Sequence, residues 1–164
     1  MTIEVSLNFK LFLRNGDRMD VREKYNDFFV KCFNLILKRE KEMLVSIDKT
    51  LSMTEIHVIE AVFSAGGDNT PKRVAQTLRV SPGTLTASVN TLAAKGYLRK
   101  EKDGSDKRVI RLFLTEKGAR ANAVHMRFHE RMVDSFLENV EESEAKSLIS
   151  ALEKLKDFLG DFRF

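Results

Sequence analysis

A single cysteine, Cys32, removes any internal disulfide framework from this 164-residue chain, which fits a reducing, cytoplasmic setting. Two prolines, no tryptophan and no low-complexity tract leave little room for a disordered linker. No stretch is apolar for long enough to span a bilayer, so the reading is of a protein with no membrane segment. A phosphate-binding loop, a serine elbow, an HExxH pair and paired CxxC motifs are all missing. Asp and Glu are plentiful but scattered on solvent faces. Nothing nominates a nucleophile, a base and an orienting group together, and the expectation is that the chain is not an enzyme.

What is present is concentrated between Thr70 and Gly118. Thr70 can cap exposed amides, and Pro71 stands at the first helical position, where a missing N–H costs nothing. Val74, Ala75 and Leu78 then share one face. A second start follows at once, with Ser81 as cap and Pro82 in the first turn. Leu85, Val89, Leu92 and Ala93 form its apolar stripe. Opposite them lie Gly83, Thr84, Thr86, Ala87, Asn90 and Thr91, which are small, neutral hydrogen-bonders and methyl bearers. A helix entering a major groove needs such residues: short side chains permit close approach, Asn pairs with adenine, and Thr bonds a base edge or touches a thymine methyl.

Gly96 ends that helix in a left-handed conformation. Residues 97–100 and 108–114 read as strands, joined by the polar turn 102–107. The outline is a helix-turn-helix followed by a β-wing. Arg108 is the candidate for a narrow groove, and Asp106 is placed to hold its guanidinium. Residues 70–118 carry eleven Lys and Arg against four acids, a net of +7. The whole chain is +4, so the remainder sums to −3. A basic segment in an otherwise acidic chain is the electrostatic footprint of a polyanion binder. Lys72, Arg73, Lys95, Lys107 and Arg108 are the expected holders of phosphate or minor groove, and Thr84, Thr86, Ala87, Asn90 and Thr91 the expected readers of bases. The bland alternative is a helical interaction module that shares the motif without binding DNA.

The run from Asp106 to Gly118, DKRVIRLFLTEKG, resembles the wing pattern of MarR-type winged helix-turn-helix regulators: D-x-R, a hydrophobic strand, then L-T-x-x-G. VAQTLRVSPGTLTASVNTLAAKGYL is similar to their recognition unit. The resemblance runs from about Arg22 to the C-terminus. It implies a mostly α fold with a small β-wing, carrying N- and C-terminal dimerisation helices. It also implies a homodimeric transcription factor on a pseudo-palindrome of double-stranded DNA.

The flanks fit that frame. Residues 1–18 alternate like a strand without a partner and read as a non-essential extension, or else an extra strand or arm. Residues 20–50 read as a dimerisation or effector helix with a broad aromatic face (Tyr25, Phe28, Phe29, Phe33, Ile36, Leu37), wide enough for burial on two sides. Cys32 reads as core rather than redox sensor. Ser52 and Glu55 form a capping box at the start of the DNA-binding unit, 51–118. Residues 119–164 supply a long helix with Val124, Phe128, Met132, Phe136 and Val140, and an amphipathic last helix with Leu148, Ile149, Leu152, Leu155 and Leu159. Paired with a symmetry mate, these helices would set two recognition helices roughly one DNA turn, ~34 Å, apart.

Two effector readings arise. VHMRFHERMVDSF, with the wing and recognition stretches, resembles the fatty-acid-synthesis repressors within the MarR family, which implies long-chain acyl-acyl carrier protein as corepressor. Phe29, Phe33, Leu37, Val62, Val124, Phe128 and Met132 would line its acyl tunnel, and Arg22, Lys24, Arg127 or Arg131 would face the acidic carrier. Alternatively, His125 and His129 at i, i+4 put two rings on one helix face at a metal-binding spacing. His57 would join them and Glu130 or Glu40 would complete a zinc site, as the resemblance to zinc-sensing relatives implies.

Overall fold

The computed structural model describes the backbone of residues 18–161 and the side chains of 20–160; the strand-like pattern before them lies outside the described residues. The chain divides into two compact units, Met1–Thr50 and Leu51–Phe164. Among the described residues the first contains one helix, α1, Arg18–Ile47. On its polar side Lys31 pairs with Asp27 at 2.8 Å and Arg39 with Glu42 at 2.7 Å, the spacing that supports a lone helix. Its aromatic side is largely open: Phe28, Phe33 and Leu37 are 57%, 54% and 56% exposed. Phe29, half-buried, stacks on Phe33 with centroids 6.2 Å apart.

The second unit runs α2 (Met53–Ser64), a 3-10 turn (Gly66–Asp68), α3 (Pro71–Leu78), α4 (Pro82–Ala94), β1 (Leu98–Lys102), β2 (Ile110–Leu114), α5 (Glu116–Leu137) and α6 (Glu142–Asp161). Each of the four middle helices starts on a side-chain cap read from sequence. Ser52 and Glu55 complete a reciprocal box, and Thr70, Ser81 and Thr115 accept from the amides of Arg73, Thr84 and Gly118. Such caps satisfy amides that have no partner within the helix. Ile56, Ile59, Val74, Leu85, Leu92, Tyr97 and Leu112 are at most 1% exposed and form the core. β1 and β2 pair antiparallel, with Leu98 opposite Leu114 and Lys102 opposite Ile110. Asn69 fastens the loop before α3 to β2: its Nδ2 donates to the Leu112 carbonyl at 2.7 Å, and its own carbonyl accepts from Leu112 N–H at 2.9 Å. α6 keeps Ile149, Leu152, Phe158 and Leu159 exposed.

Candidate nucleic-acid interface

α3 and α4 are joined by Arg79, Val80 and Ser81. Arg79 closes α3 in the left-handed region (φ 54°, ψ 39°), and among the described residues no other non-glycine has positive φ. That conformation costs an L side chain roughly 1 kcal/mol or more, and here it is held by bonds from Arg79 N–H to Gln76 and Val80 N–H to Ala75. Ser81 then caps α4, its Oγ accepting from Thr84 N–H at 3.1 Å. Leu85, Val89 and Leu92 turn inward, which leaves Gly83, Thr84, Thr86, Ala87, Asn90 and Thr91 exposed. The outward face is therefore the uncharged one that sequence periodicity indicated. Lys72 and Arg73 stand exposed on the first turn of α3, with Arg73 Nε 3.9 Å from Asp68.

The wing is tied at its base and open at its tip. Asp103 Oδ1 accepts from Ser105 N–H at 2.8 Å, Ser105 Oγ–H at 2.6 Å and Asp106 N–H at 3.2 Å. Its Oδ2 pairs with Arg111 Nε, and Arg111 also donates to the Gly67 carbonyl. These bonds, the Ser105 hydroxyl first and the Arg111 guanidinium next, hold the Asp103 carboxyl far below the usual carboxylate range. Lys107 and Arg108 project from the tip, exposed. Sequence reasoning missed Asp103 and Arg111 as a pair; an Asp followed two residues later by Ser is an Asx-turn signal that could have found one of them.

Two expectations need correction. Asp106 does not hold the Arg108 guanidinium; its Oδ1 accepts from the Arg108 backbone N–H at 2.9 Å, as the turn geometry favours the nearer amide. Lys95 is not a free phosphate holder. Its ammonium lies between the two oxygens of Glu55, at 2.7 and 2.9 Å, and it ties the capping box of α2 to the end of α4. Arg108→Ala is expected to weaken duplex binding and to lower the slope of log affinity against log salt by about one. Titration of a labelled duplex at several salt concentrations measures both, and an unchanged slope would remove the wing tip from phosphate contact.

The histidines converge within the second unit. His125 is fully buried. Its Nε2 is 3.1 Å from Nε2 of His129, and the His57 ring centroid lies 5.7 Å from its own. Within this unit the Glu60 carboxylate lies 3.7 Å from His125 Nδ1, whereas Glu130 faces solvent. Of the residues expected to line a tunnel, Val62 is 3% exposed in the core of this unit, Val124 and Phe128 are half-buried, and Met132 is 36% exposed. Phe33 and Leu37, in the first unit, stand open to solvent, so the set divides between core and surface side chains.

A capped helix pair presenting a neutral face beside a cationic wing defines a winged helix-turn-helix DNA-binding protein. The MarR family description matches residues 49–109. The chain is similar to Streptococcus pneumoniae FabT as solved in complex with DNA, at 34% identity and a TM-score of 0.77, covering 87% of this chain and 99% of that one. It is also 29% identical over 131 residues to YpoP of Bacillus subtilis, an HTH-type transcriptional regulator, covering 76% of this chain and 86% of that one. It is 24% identical to a second such regulator, YwhA, of which it spans 64%. The chain belongs to the MarR family, whose members are DNA-binding transcriptional regulators rather than enzymes. No helix among the described residues is long and apolar enough to cross a membrane.

Proposed function

We propose that the protein is a cytoplasmic, homodimeric repressor of fatty-acid biosynthesis genes whose affinity for a pseudo-palindromic operator is raised by long-chain acyl-acyl carrier protein. The observation that carries this is the likeness to FabT over nearly the whole of that chain. Dimerisation is supported by the open apolar side chains of α1 and α6, including Phe28, Phe33, Ile149 and Leu159, which cost hydration free energy until a second copy covers them. The corepressor acts by binding one arrangement of the two DNA-binding lobes better than the other, and its coupling energy is that difference. The test is affinity for the promoter DNA beside its own gene at fixed salt, with and without palmitoyl-acyl carrier protein. Tightening of several-fold or more is expected; no change at saturating carrier would end this reading.

A second reading is favoured by the three imidazoles. Two nitrogens bound to one zinc at about 2.0–2.1 Å in tetrahedral geometry stand roughly 3.3 Å apart, close to the 3.1 Å between the Nε2 atoms of His125 and His129. His57 would join the donor set and Glu60, on the Nδ1 side of His125, would orient that ring, with zinc as the effector. Zinc titration in the same DNA-binding assay checks this, and a zinc effect that survives loss of both His125 and His129 would exclude the site.

A further inference from the structure

The hydroxyl protons of Thr86 and Thr91, on the outward face of α4, are committed to the helix. Thr86 donates to the Pro82 carbonyl at 2.8 Å and Thr91 to the Ala87 carbonyl at 3.1 Å, so what these side chains offer a base is lone pairs and methyl groups. Asn90, exposed between them, differs. Its Oδ1 accepts from the ammonium of Lys100, which reaches across from β1. Strand alternation places Lys100 on the side opposite Arg99, whose guanidinium lies over the Phe113 ring. An ammonium can only donate, so this bond fixes the amide of Asn90: the oxygen faces Lys100, and both N–H bonds of Nδ2 point elsewhere.

We propose that Lys100 is a specificity-determining residue that makes Asn90 a donor-only reader, selecting guanine where an unpaired asparagine would select adenine. Asparagine reads adenine by accepting from N6–H while donating to N7, which requires Oδ1 as an acceptor. With a cation on Oδ1, a further N–H arriving from adenine meets charge of its own sign. Guanine offers O6 and N7, two acceptors, to Nδ2–H and to the remaining N–H bonds of Lys100. Thr86 and Thr91, turned into acceptors, suit amino groups on neighbouring bases.

The test is selection of bound sites from a randomised duplex pool by the full chain, its Lys100→Met, Lys100→Arg and Asn90→Ala variants, with bulk duplex affinity measured on the same samples. The position read by Asn90 is the one whose preference Asn90→Ala abolishes. There the unsubstituted chain should select guanine, Lys100→Arg should keep it, and Lys100→Met should move toward adenine by on the order of tenfold while still binding DNA. Adenine selected by the unsubstituted chain, or a Lys100→Met variant that keeps guanine and loses affinity evenly across sequences, would overturn the assignment.

Discussion

Gly118→Ala is expected to destabilise the chain by about 3 kcal/mol, at the upper end of overpacking costs. In a helix, alanine is normally better than glycine by about 1 kcal/mol, so packing here has to reverse the sign. A Cβ on Gly118 would stand 2.2 Å from the Tyr97 carbonyl oxygen, 3.2 Å from its carbon and 3.4 Å from Leu114 Cβ. The first contact is with backbone, and that backbone is fixed. The Tyr97 carbonyl accepts from Thr115 N–H at 3.0 Å and Thr115 Oγ–H at 3.2 Å, and Tyr97 N–H donates to Leu92 at 2.9 Å. The Tyr97 ring is fully buried. Relief must therefore separate α5 from the junction of α4 and β1, which also disturbs the alignment of recognition helix and wing. For a chain of this size the loss corresponds to a Tm lower by roughly 6–12 °C. Thermal or urea unfolding measures it, and a variant more stable than the parent would show that helix propensity outweighs the contact.

The last glycine of L-T-x-x-G thus acquires a steric meaning that its place in a motif does not supply. Much of the architecture was legible because its determinants are local. Ser52, Thr70, Ser81 and Thr115 each bond an amide three residues on, with Glu55, Pro71 and Pro82 as further signals nearby, so the helix starts could be read before any packing was known. Gly96, at φ 77°, was legible for the same reason. Arg79 was not, since arginine carries no signal for a left-handed turn, although the bonds that hold it there run only to Gln76 and Ala75. The strands were placed at 97–100 and 108–114 from their apolar residues, yet the ladder takes in Lys102 and begins at Ile110, because backbone bonds such as Asp103 N–H to Val109 continue through polar side chains. Charges were the least legible feature. A count gives the net +7 of the DNA-binding segment, but it cannot say that Lys95 meets Glu55 across forty residues, that Arg111 turns back to Asp103, or that Lys100 reaches Asn90.

Lys95→Met is expected to cost about 1–3 kcal/mol at neutral pH, less than the loss of one partner from a fully buried pair, because Lys95 retains 27% exposure beside a Glu55 side chain at 9%. Without the ammonium, the Glu55 carboxylate keeps only its bonds to Ser52, whose N–H lies at 2.7 Å. Burial alone pushes the Glu55 carboxyl up, but its bonds to Lys95 and Ser52 outweigh burial and hold it below the ordinary value of 4.5. A depressed folded-state pKa contributes stability that is present above the unfolded value and disappears as pH falls through the folded one. The gap between parent and Lys95→Met should therefore be widest near neutrality and close as pH drops below 4.5, which urea unfolding across that range would show. A gap independent of pH would mean that Lys95 acts through its packed stem rather than its charge. The same variant separates the latch from the phosphate-holding role that the sequence suggested. A residue already neutralised by Glu55 releases no counterion from DNA, so its loss should leave the salt slope of binding unchanged, whereas loss of Arg108 lowers it by about one.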